Sequence, residues 1–113
     1  MKTNLVPQVL MERAARRFKL LGEPVRLELL NQLNTHGEMT VQQLVEATGH
    51  QQANVSKHLG QMAEEGLISR RKEGLYSYYV ISDPTLSALC MLMCSRLREE
   101  QEEEAAAVKA ESA

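Results

Sequence analysis

The chain has 113 residues, 43% of them hydrophobic and 25% charged, with a formal net charge of −2, a composition that suits one small globular domain and argues against a disordered chain. Aromatic residues make up only 4%, with no Trp, which argues against a stacking platform for sugars or single-stranded bases. No apolar run approaches the roughly 20 residues of a membrane-spanning helix, and residues 1–7 lack the apolar core of a secretory signal, so no membrane is expected as a partner.

Taken in chain order, residues 8–21 place Leu10, Ala14, Phe18 and Leu21 at helical spacing, with Gly22 as a left-handed stop. Pro24 suits the first position of a second helix, whose face of Val25, Leu29, Leu30 and Leu33 ends near Gly37. Thr40-Val41-Gln42-Gln43 reads as a capping box that opens a short third helix, interrupted at Gly49. A fourth helix is predicted from about Gln51 to Glu65, with Val55, Leu59 and Met62 inward and Gly66 as terminator. Two β-prone runs, residues 67–72 and 75–81, follow around Glu73-Gly74 and read as a hairpin. Asp83-Pro84 then predicts the cap and first residue of a last helix carrying Leu86, Leu89, Met93 and Leu97 as far as about Arg98. The fold class expected is mainly α with a β-hairpin, in the order α-α-α-α-β-β-α.

Charge is unevenly spread along this order. Residues 99–113 hold six Glu against Lys109, a net −5, while residues 1–98 carry 12 basic and 9 acidic side chains, a net +3. The expected division is a folded domain over residues 1–98 and an acidic Glu/Ala-rich tail over residues 99–113. A mildly basic body is compatible with nucleic-acid binding without requiring it, and an acidic tail on a neutral domain fits the same numbers.

The third and fourth helices, joined by a short link at Gly49, have the parts of a helix-turn-helix, whose second helix enters the major groove. Its first turns carry Gln51, Gln52, Asn54, Ser56 and Lys57. Gln and Asn pair with adenine edges, Ser reaches base or phosphate, and Lys suits phosphate. Arg70, Arg71 and Lys72 make the following hairpin cationic, suited to the flanking DNA backbone or the minor groove. Each element alone also fits a solvated helix face or an ordinary hairpin; their order is what points to double-stranded DNA.

These segments resemble the ArsR/SmtB winged-helix repressors: Leu21-Gly22-Glu23-Pro24-Val25-Arg26-Leu27, Asn54-Val55-Ser56-Lys57-His58-Leu59, Glu65-Gly66-Leu67-Ile68, and the wing from Arg71-Lys72-Glu73-Gly74 through Tyr78-Tyr79. The resemblance runs from residue 14 to residue 97. It implies a winged helix-turn-helix homodimer formed through the first and last helices. Such a dimer would bind a pseudo-palindromic operator, repress transcription and leave DNA when an effector binds. Two departures stand out: Gln51 where the family often has a capping Ser, and Leu75-Tyr76 at the wing tip where basic residues are frequent.

The resemblance also frames the effector. A Cys-x-Cys pair in the third helix is absent, and all three His precede residue 59, so the last helix has no Asp/His/His/Glu set. A four-ligand Zn²⁺ sensor is therefore not expected. The only cysteines, Cys90 and Cys94, stand at i and i+4 in the last helix, with Cβ atoms about 5–6 Å apart on one face. As(III) or another soft ion bound by thiolates, or a polysulfur bridge, fits that spacing, while a direct disulfide within the helix would be strained. A disulfide with the symmetry-related helix is a third reading if the dimer axis runs near these residues. So does simple packing, since free Cys behaves as a small buried hydrophobe. Two cysteines build no disulfide framework, and a reducing, cytoplasmic setting is expected. No resident cofactor is required.

Two classes of function thus stand together: a repressor switched at Cys90 and Cys94, and a winged-helix regulator without a thiol effector, controlled by abundance or a protein partner. An enzyme is not expected, because the chain has no Gly-rich phosphate loop and no base placed to activate either thiol. His58 is expected as a packed, hydrogen-bonded core histidine, and His36 and His50 as surface residues.

Overall fold

The computed structural model describes residues 4–112. A 3-10 turn, Gln8–Leu10, leads into α1 (Met11–Leu21), followed by α2 (Pro24–His36), β1 (Met39–Thr40), α3 (Val41–Thr48), α4 (Gln52–Glu64), β2 (Ile68–Glu73), β3 (Tyr76–Ile81) and α5 (Leu86–Glu111). The expected class, mainly helical with a hairpin wing, is what is found. The chain divides into two units between Asp83 and Pro84.

In the first unit the core is built from Leu29, Leu33, Leu44, Val55, Leu59, Met62, Leu67 and Ile68, all fully buried. These are the inward residues of α2, α3 and α4, with Leu67 from the link after α4 and Ile68 from the start of β2, so the short helices gain their stability from a shared apolar centre rather than from intrinsic propensity. Local signals set the ends. Thr40 Oγ1 accepts from the Gln43 amide at 3.1 Å, and Gln43 Oε1 accepts from the Thr40 amide at 2.9 Å, so the expected capping box is present. After α4, the Gly66 amide donates to Ala63 O and the Leu67 amide to Met62 O, with Gly66 at φ +78, a Schellman stop.

Several boundaries differ from the sequence expectation. Gly22 is not left-handed (φ −82); the turn is made instead by Glu23, extended at φ −117, ψ 131, because the residue before a proline avoids the helical region. β1 has no counterpart in the sequence expectation: two residues carry no periodicity, and Met39 and Thr40 become a strand only by pairing with Tyr79 and Tyr78. The sheet order is β1-β3-β2, antiparallel throughout. The hairpin loop is Gly74-Leu75, one residue later than expected, since Glu73 pairs with Tyr76. Gly74 has φ +61 and no non-glycine among the described residues has positive φ, which matches the type II′ turn favoured by strand twist.

The second unit is α5. It starts at Leu86 with Thr85 as N-cap, not at Asp83-Pro84. The Asp83 carboxylate is engaged elsewhere, accepting from Arg17 Nη1 at 3.1 Å. α5 also runs on to Glu111, well past Arg98. Arg96 pairs with Glu99 and Glu100 at 3.2 Å, and the alanine-rich stretch after Glu104 has high helix propensity, so the acidic segment continues the helix.

Candidate nucleic-acid interface

The link between α3 and α4 is tight and locally bonded. The Gly49 amide donates to Val45 O at 2.8 Å with φ +77, and the Thr48 hydroxyl donates to Leu44 O at 2.7 Å. Gln51 caps α4 in an extended conformation without a side-chain capping bond, so its exposed amide group is not consumed by the helix it begins. Val55, His58, Leu59 and Met62 are buried. Helical geometry then turns Gln52, Ser56 and Lys57 to solvent, with Asn54 half-buried. Gly49, His50, Gln51, Ala53, Asn54 and Lys57 line a depression of about 550 Å³ beside the turn. Of the residues expected on sequence, Gln51, Asn54 and Lys57 border this depression, while Gln52 and Ser56 are exposed on the same first turns of α4 outside it.

Behind this surface lies a polar knot that residue-type reasoning passed over. Arg26 is only 7% exposed. Its Nε donates to His58 Nδ1 at 3.0 Å, its Nη1 to Leu20 O at 3.2 Å, and its Nη2 to Gln61 Oε1. Glu23 lies 3.7 Å from Arg26. A guanidinium only donates, so His58 Nδ1 must accept and the ring is neutral with its proton on Nε2. Burial, followed by the charges of Arg26 and Lys57, holds His58 below the ordinary imidazole range. His58 is the packed, hydrogen-bonded histidine expected, and no buried side-chain polar atom among the described residues lacks a partner. His36 is exposed, but His50 is not a plain surface residue. Its Nε2 lies 2.6 Å from Glu28 Oε2, bracing the turn against α2.

Strand alternation separates the three wing cations. Arg70 faces Tyr79 and Lys72 faces Ser77 across the ladder, while Arg71 faces Tyr78 and so lies on the opposite side of the hairpin. Arg70 and Lys72 are exposed and make no ion pair among the described residues. Arg71 Nε and Nη2 donate to Glu38 Oε1 and Oε2 at 3.0 and 2.9 Å, and Nη1 to Glu73 Oε2 at 2.7 Å. Its Cζ sits 4.9 Å from the Tyr78 ring centroid. The hydrogen bond from Arg71 holds the Glu38 carboxyl below its usual range, and the two carboxylates raise Arg71 further. Leu75, at the tip, is 99% exposed.

On α5, Cys90 is half-buried and Cys94 exposed, both as free thiols. Among the described residues no group of three or more His, Cys, Asp or Glu side chains could hold a metal ion, and no helix is long and apolar enough to cross a membrane.

Comparison with known proteins agrees with this geometry. The family described as "Bacterial regulatory protein, arsR family" matches residues 23–70, from the start of α2 to the wing. An HTH-type transcriptional regulator of Methanocaldococcus jannaschii, itself uncharacterized, is 33% identical over 82 residues, 73% of this chain and 92% of that protein. A probable mercury resistance operon repressor of Streptomyces lividans is 38% identical over 90 residues, covering 80% of this chain and 71% of the relative. Among solved structures, the homodimeric winged helix-turn-helix DNA-binding domain of a Mycobacterium bovis protein superposes with a TM-score of 0.73 at 28% identity, covering 88% of this chain and 91% of that one. The chain belongs to the arsR family of bacterial regulatory proteins, and is a winged helix-turn-helix DNA-binding transcriptional regulator.

Proposed function

We propose that this chain is a homodimeric repressor that grips a pseudo-palindromic operator with two copies of α4 and the wing, and is released when an effector modifies or bridges Cys90 and Cys94. The observation that carries the DNA reading is the split of α4. Its apolar side is locked into the core by Val55, Leu59 and Met62, while Gln51, Gln52, Asn54, Ser56 and Lys57 cluster on its first turns. Gln52 and Asn54 are the base readers and Lys57 a phosphate contact. Dimerisation is supported by apolar side chains that the single chain leaves uncovered. On α1 these include Phe18, 60% exposed, and on α5 they include Met91, Leu92, Met93 and Leu97. The similar Mycobacterium bovis domain is homodimeric, and a two-fold dimer would present α4 twice to a palindrome.

The thiols supply the switch. Cys90 and Cys94 are one helical turn apart on α5, and soft ions such as As(III) or Hg(II) are held by thiolates at such spacing. The mercury-resistance repressor among the relatives supports a soft thiophile as effector class. Oxidants and reactive sulfur act on the same atoms. Binding there biases the helix expected to set the dimer's geometry, and with it the separation of the two reading helices.

The test is a fluorescence-anisotropy titration of the reduced protein on the DNA upstream of its own coding region. As(III), Hg(II), Zn²⁺, peroxide and a persulfide donor are then added in turn. Release by one agent, lost in both Cys90→Ser and Cys94→Ser with basal affinity retained, is the expected result. Tight binding indifferent to every agent would reduce the two cysteines to packing residues and leave a regulator controlled by abundance or a protein partner.

A further inference from the structure

Arg71 is the middle of three consecutive cations on the wing's first strand, yet its fork is engaged within the chain on both sides. Two of its nitrogens meet both oxygens of Glu38, a third meets Glu73, and its face lies on Tyr78. Isolated exposed ion pairs contribute little because water screens them. A fork-to-carboxylate pair with a second carboxylate and an aromatic face is a networked exception. With two Glu around one Arg, this cluster carries a net −1 and offers a phosphate no attraction.

The partners come from different parts of the fold. Glu38 lies in the link between α2 and β1, just after Gly37 at φ +80, whereas Arg71, Glu73 and Tyr78 belong to the hairpin. Beyond the two-residue pairing of β1 with β3, the Arg71–Glu38 bridge is a tie between the hairpin's outer half and the helical body. A hairpin that pivots cannot place its other cations at a fixed distance from the reading helix.

We infer that Arg71 and Glu38 form a strut that sets the angle of the wing for DNA, a positioning pair, and that the wing's phosphate contacts fall to Arg70 and Lys72. This rests on the reading of the chain as a DNA-binding dimer. It moves Arg71 from the phosphate contacts expected on sequence to a structural tie, and gives Glu38 a role in DNA binding.

The salt dependence of operator affinity separates the two roles, because removing one cation from a phosphate lowers the slope of log K against log salt by about 0.9, or about 1.8 for a dimer. Arg70→Ala or Lys72→Ala is expected to lower the slope by about that amount. Arg71→Ala is expected to weaken binding several-fold with the slope unchanged. Glu38→Ala is expected to weaken binding as well, although it removes a negative charge, and the double variant to weaken it no further than either single one. Arg71→Lys keeps the charge but loses the fork, and is expected to behave like Arg71→Ala. A lowered slope in Arg71→Ala, full affinity in Arg71→Lys, or tighter binding in Glu38→Ala would each overturn the strut while leaving the DNA reading intact. A wild-type protein that fails to bind DNA would overturn both.

Discussion

Arg26 Nε donates to His58 Nδ1 at 3.0 Å, joining the start of α2 to the middle of α4 through two side chains that are both buried. The bond fixes the imidazole as a neutral acceptor, and the remaining Arg26 nitrogens reach Leu20 O and Gln61 Oε1. The helix proposed to read DNA is thereby held from behind by a charged residue of α2 as well as by apolar packing.

Replacing Arg26 with Ala removes these bonds and leaves His58 Nδ1 and Leu20 O unpaired. The expected loss is about 2–4 kcal/mol of folding stability, as for other buried networks broken on one side. Urea denaturation of both proteins measures it, and a loss below about 1 kcal/mol would mean that water replaces the guanidinium freely.

Stability should also depend on pH through His58. Its folded value lies below the ordinary 6.5 because of burial and the neighbouring Arg26 and Lys57 charges. The unfolded chain therefore takes up the proton first, and unfolding becomes easier as pH falls through and below that value. The contribution is complete above it and is lost as pH drops toward the folded value. His58→Asn keeps an acceptor without titrating and should remove this part of the slope. Equal pH profiles for the two proteins would assign the dependence to other groups.

Base reading and phosphate anchoring should separate on α4. Gln52→Ala and Asn54→Ala should each cost about 1–3 kcal/mol on the operator and relax base preference. Lys57→Ala should weaken all sequences alike and lower the salt slope. Competition titrations with operator variants decide; full operator preference in both amide variants would displace the reading surface from the first turns of α4.

The capping box gives a purely local prediction. Thr40→Ala removes the acceptor for the Gln43 amide at the start of α3, and should cost about 1 kcal/mol. Thermal unfolding reads the loss. Since Thr40 also pairs with Tyr78 in the sheet through its backbone, the strand should survive the change.

Much of the fold was legible because its signals are local. Thr40 and Gln43 are three residues apart, and Gly37, Gly49 and Gly66 take the positive φ at which helices end. The apolar positions of α2 and α4 recur at helical spacing, and most of them are the buried ones. Where reading failed, a neighbour or a distant partner intervened. Pro24 forced Glu23 extended and made a left-handed Gly22 unnecessary. Arg17, 66 residues away, took the carboxylate with which Asp83 was expected to cap the last helix.

The candidate site divides the same way. Gln51, Gln52, Asn54, Ser56 and Lys57 could be named from one stretch of sequence, because a helix places its first turns together whatever surrounds it. Nothing in its local sequence marked Arg26 for burial, and the three wing cations looked alike. Only the tertiary structure paired Arg26 with His58 across 32 residues and Arg71 with Glu38 across 33. Sequence by itself determined the helices, the hairpin, the turn and the chemistry offered on α4, since these depend on neighbours a few residues apart, whereas β1 formed only by pairing with β3. Which charged side chains remain available to a ligand was decided by folding, because a charge is satisfied by whatever group lies within about 3 Å of it, however distant that group is along the chain.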